Sequence, residues 1–83
     1  MPYIKKELRE KLDDDIDVLI SKIMTIPPNE QDGVVNYTVF RMLLGLYEPN
    51  RAMGVLESVK QEFYRRKIGP YEDQAILRNG DIA

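Results

Sequence analysis

The chain has 83 residues, 31% of them charged, with a formal net charge of −2 and neither Cys nor His. Those figures exclude disulfides, thiolate or imidazole metal sites and a histidine base, and they argue against a nucleic-acid binder, which carries a basic excess. One domain, residues 1–83, is all that this length holds, and so small a domain is marginally stable without a disulfide, a metal or a partner subunit. With the first two unavailable, a homo-oligomer is expected. No apolar run reaches the roughly 20 residues that span a bilayer, and Met1-Pro2-Tyr3-Ile4-Lys5-Lys6-Glu7 has no apolar signal region, so the expectation is no membrane and a cytoplasmic location.

Ile4, Leu8, Leu12, Ile16, Leu19, Ile20 and Ile23 recur at spacings of three and four, the stripe of an amphipathic helix. Asp13-Asp14-Asp15 interrupts it. Asp is a poor helix-interior residue and a good N-cap, so two helices are predicted, about residues 5–12 and 14–24, with a single bent helix as the alternative. Residues 26–33, Ile26-Pro27-Pro28 through Gly33, read as a loop: two prolines stop the helix and a polar run follows. Asp32 would cap the next segment.

Residues 33–47 form the third predicted helix. Its apolar side chains, from Val34 to Tyr47, cover nearly the whole circumference, and such a helix is buried. Neighbours in so short a chain cover only part of it, leaving a face for another subunit. Glu48-Pro49-Asn50 is a turn with Asn50 as cap, and a fourth helix runs over 51–68. Gly69 stands where a C′ glycine belongs, with Pro70 after it. A fifth, over 71–79, ends at Gly80. The expected fold is all-α: a compact bundle of four to five short helices with two central apolar ones.

Standard catalytic machinery is absent, and with it any triad, Walker loop or dinucleotide fingerprint. No enzyme, no cofactor and no metal are expected. Asp13–Asp17 lacks the EF-hand spacing and glycine, so it reads as a solvated acidic face. Gly45 and Gly54 lie inside helices at a cost of roughly 1 kcal/mol each, which points to close helix–helix contacts there.

The densest chemistry lies toward the end of the fourth helix and beyond it. Glu57, Lys60 and Tyr64 share a helix face, and Glu62 is spaced to pair with Arg65 or Arg66. Tyr71 and Asp73 follow. From the third helix, Asn36, Tyr37 and Arg41 join the set; Arg41 is a charge in an apolar helix and needs a partner, for which Glu57 and Asp73 are the candidates. Tyrosine and arginine dominate binding hot spots, and they suit phosphate-bearing, nucleotide-like ligands through bidentate contact and stacking. The plainer reading is a salt-bridge network between helices with tyrosines packed at its rim.

Asn36-Tyr37, Arg41, Tyr47, Gly54-Val55-Leu56-Glu57, Glu62-Phe63-Tyr64-Arg65-Arg66, Pro70-Tyr71-Glu72-Asp73 and Asn79-Gly80-Asp81 together resemble a family of very short phage and bacterial proteins of unknown function. The likeness spans about residues 3–82 and departs at the end, where Ile82-Ala83 stands in place of an aromatic. The family carries no activity to transfer. Its phage association implies an inhibitor, an adaptor or a sponge that sequesters a nucleotide-derived signal between subunits, by analogy of class. The function expected is a non-enzymatic homo-oligomer binding an anionic nucleotide-like small molecule. The alternative is an adaptor or inhibitor docking a host or phage protein through the apolar face of the third helix.

Overall fold

The computed structural model describes residues 4–82; the reading of the first three residues as part of an unsignalled start, and of Ala83 as part of the divergent end, lies outside them. The described chain is all-helical. Helix α1 spans Lys6–Met24, α2 spans Pro28–Leu46 and α3 spans Pro49–Phe63; a π-helical turn, Tyr64–Ile68, then leads directly into α4, Gly69–Asn79. Because α3, the π turn and α4 run on without a break, the described residues make three helical rods rather than a bundle of four to five helices.

The first difference is at Asp13–Asp15, which sit inside one continuous α1, so the single-helix alternative replaces the two helices expected. An Asp in a helix interior costs well under 1 kcal/mol, too little to end a helix whose apolar stripe continues on both sides. The second is at the two prolines. Pro28 occupies the first turn of α2, where its missing N–H costs nothing and its fixed φ suits the helix. The expected loop is therefore mostly helix, and Asp32 lies within α2 instead of capping it. Thr25 closes α1, its hydroxyl donating to the Lys22 carbonyl at 2.7 Å, and the Gln31 amide donates back to the Ile26 carbonyl at 2.8 Å, fixing the corner.

At the next corner Glu48, not Asn50, is the N-cap. Its carboxylate accepts from the Asn50 and Arg51 backbone N–H groups at 3.1 and 2.6 Å. Gly69 does not terminate a helix either: its φ is −54°, and its N–H bonds five residues back, to the Tyr64 carbonyl. In a regular α-helix the ring of Pro70 would strike the carbonyl of Arg66, and the wider π turn relieves that clash. Gly80, with φ of 84°, ends α4 as the sequence predicts, and its N–H caps the Ile76 carbonyl at 2.7 Å.

The packing corrects the expectation of a compact bundle with buried central helices. No described residue is buried. No Cα of α1 comes within 8 Å of α3 or α4, and α2 approaches neither the π turn nor α4. On α2, Phe40 is 59% exposed and Leu44 67%. The radius of gyration is 16.4 Å against about 12 Å for a compact chain of this length. The accessible surface is 7649 Å², against roughly 5,100 Å² for a compact chain of this mass. Gly45 and Gly54 are not close-contact positions within the chain, since a Cβ built on either meets nothing within 4 Å.

Candidate functional site

The predicted residues divide into two groups. The first lies along the inner side of the α3–π–α4 rod. There Glu57, Gln61, Glu62, Tyr64, Arg65 and Asp73 line an open cleft of about 780 Å³. The π turn joins the end of α3 to the start of α4 and packs against both. The Tyr64 hydroxyl donates to Glu72 Oε2 at 2.6 Å, eight residues on. That bond raises the Tyr64 pKa above the ordinary 10.0, with the charges of Glu72 and Asp73 acting in the same direction.

Glu62 takes both basic neighbours. Arg65 reaches it at 2.6 Å and Arg66 bonds the same oxygen, Oε1. The hydrogen bonds from Arg66 first and then Arg65 hold the Glu62 carboxyl below its ordinary 4.5. Both arginines are more than half exposed but engaged with a carboxylate. Glu57 accepts from the Gln61 amide at 2.8 Å. The cleft thus presents three carboxylates, Glu57, Glu62 and Asp73, to one guanidinium, Arg65. That balance disfavours an anion inside the cleft of a single chain. Lys60 and Tyr71 are exposed and outside it.

The second group is on α2. Arg41 Nη1 donates to the Tyr37 hydroxyl at 2.8 Å, and its guanidinium carbon stands 5.7 Å from the Tyr37 ring centre. The expected partners Glu57 and Asp73 do not meet Arg41. They sit on other elements, and α2 does not approach α4. Asn36 is exposed one residue before Tyr37. The convergence of Arg41 with Glu57–Arg66 beneath Tyr71–Asp73 therefore does not occur within one chain.

Two features escaped the sequence reading. Arg51 lies over the Tyr47 ring, 5.2 Å from its centre, repeating the Tyr–Arg spacing of four seen at Tyr37 and Arg41. That repeat is visible in the sequence once a Tyr-x-x-x-Arg pattern is sought. The other is an apolar groove of about 290 Å³ between α2 and α3, walled by Phe40, Leu43, Leu44, Tyr47, Met53 and Leu56. Among the described residues no group of three or more acidic side chains is placed to hold a metal ion. No described helix is long and apolar enough to cross a membrane.

Fold and site together define a small all-α protein with an acidic cleft, two Tyr–Arg pairs and no buried side chain among the described residues. The chain matches the family described as Domain of unknown function (DUF6899) over residues 1–82, and it belongs to that family. No curated protein matches it, and no solved structure does.

Proposed function

We propose that this protein is a non-enzymatic homo-oligomeric binding protein, with an anionic, nucleotide-like small molecule as its ligand. The observation that carries the assembly is that no described residue is buried while every helix displays large apolar side chains. Water-exposed apolar surface on this scale marks an interaction face. Support for the ligand comes from Tyr37 and Arg41. A guanidinium held against an aromatic ring, with no carboxylate partner among the described residues, offers a stacking surface and a bidentate phosphate donor together. Arg65 and Arg66, already engaged by Glu62, are the weaker donors.

Native mass spectrometry of freshly purified protein, followed by calorimetric titration with cyclic nucleotides and ADP-ribose derivatives, tests the reading. Oligomers that bind one of these compounds, and lose that binding in Arg41→Ala, support it. Absence of binding across the set overturns the ligand assignment. A second reading, an adaptor docking another protein through α2, draws on the exposure of Phe40, Met42 and Leu44. A monomer that co-purifies with a different protein favours that reading.

A further inference from the structure

The apolar groove between α2 and α3 is the strongest unassigned feature, and the same chain carries a surface that fits it. We infer that the groove receives helix α1 of a second copy, reciprocally, so that the two chains form an intertwined two-fold dimer. This rests on the homo-oligomer reading above and names the contact that builds it.

Three observations converge. The first is shape and polarity. At about 100° per residue, Leu8, Leu12, Ile16, Leu19, Ile20 and Ile23 form one stripe on α1. Within the chain all of it but Ile23 is exposed: Leu12 is 49% exposed and Ile16 48%. An amphipathic helix laid in an apolar groove is the recurrent way to bury such a stripe. The second is area. The surface in excess of a compact chain is roughly 2,500 Å², well beyond the ~800 Å² per partner of a standard interface and in the range of obligate homodimers. A closed two-fold pair also buries both stripes at once.

The third is charge. On the helical wheel Asp13 and Asp15 fall at the two margins of the α1 stripe and Arg9 falls within it, while Asp14 and Asp17 point away. Beside the groove, Arg51 covers the Tyr47 wall, and Lys60 stands one turn beyond Leu56 on the same face of α3. Neither cation has a carboxylate partner among the described residues. Arg51 and Lys60 are therefore available to the occupant's Asp13 and Asp15, and Glu57, next to Leu56, is available to its Arg9, so charges of both signs find counter-charges beside the groove.

The absence of native cysteine makes the test direct. Single variants Ile16→Cys and Met53→Cys are mixed, allowed to exchange, oxidised and weighed. A disulfide joining one chain of each kind, in excess over either self-paired product, is the expected result. A dimer that gives no mixed product overturns the groove assignment while leaving the homo-oligomer reading in place. A monomer at tens of micromolar overturns both. An internal disulfide in a monomeric Ile16→Cys/Met53→Cys chain hands the groove to the chain's own α1 and also overturns the inference. Charge reversal gives an independent measurement on exposed residues. Asp13→Lys with Asp15→Lys is expected to raise the dimer dissociation constant by about tenfold, and Arg51→Glu with Lys60→Glu added to it to recover part of that loss. An unchanged constant in the first pair overturns the inference.

Discussion

Tyr64 and Glu72 are joined by a 2.6 Å hydrogen bond, tying the first residue of the π turn to the first turn of α4. The phenol must be protonated to donate this bond. Since the Tyr64 pKa is raised, its contribution is fully present below pH 10.0 and fades as pH climbs through the higher folded value. Tyrosine absorbance followed to alkaline pH, with Tyr64→Phe as the difference reference, should show one phenol ionising late. Glu72→Ala should return it to the ordinary range.

Glu62 behaves in the opposite sense. Arg66 and Arg65 hold its carboxyl below 4.5, so the stabilising contribution is present above that value and is lost as pH falls through the lower folded one. Carboxyl chemical shifts through an acid titration should identify Glu62 as a late-protonating group. Glu62→Gln should remove the carboxylate that both guanidiniums share, raising the affinity for inorganic pyrophosphate. Unchanged affinity would remove Arg65 and Arg66 from any anion site.

Glu48 is the sole side-chain cap found at the start of a described helix. Its two bonds satisfy the N–H groups of Asn50 and Arg51 in the first turn of α3. Glu48→Ala should cost about 1 kcal/mol of thermal or denaturant stability, within the usual range for a lost N-cap. Asn50→Ala, by contrast, should be close to neutral.

At Gly54 a methyl group meets nothing within 4 Å in the single chain. Gly54→Ala should therefore stabilise α3 by about 0.5–1 kcal/mol, through helix propensity and a less flexible unfolded chain. Circular dichroism melts at fixed protein concentration measure this. Destabilisation would mean that another chain approaches Gly54 closely.

Local signals in the sequence were strong where one residue type decides the geometry. Gly80 is such a case, because a positive φ favours glycine, and the Glu62–Arg65–Arg66 cluster is another, because helical spacing alone brings the groups together. The readings failed where a residue has two opposite uses. Pro27-Pro28 read as a helix stop, yet Pro28 also opens a helix; Asp13–Asp15 read as a cap, yet a helix with apolar support on both sides runs through them. Gly69-Pro70 read as an end, whereas the π turn lets the rod carry on past the proline. The site was legible in part for the same reason. Glu57, Tyr64, Arg65 and Asp73 line one cleft because they lie on one rod, while placing Arg41 required knowing how α2 crosses that rod.

That no described residue is buried in one copy has an implication for when the protein is folded at all. If burial is completed by association, folding is drawn forward by mass action, and the folded fraction depends on the concentration of the chain itself. Melting temperature should then climb with protein concentration. In a cell, the protein would be short-lived when scarce and persistent once abundant, so that dosage sets the threshold at which it becomes active.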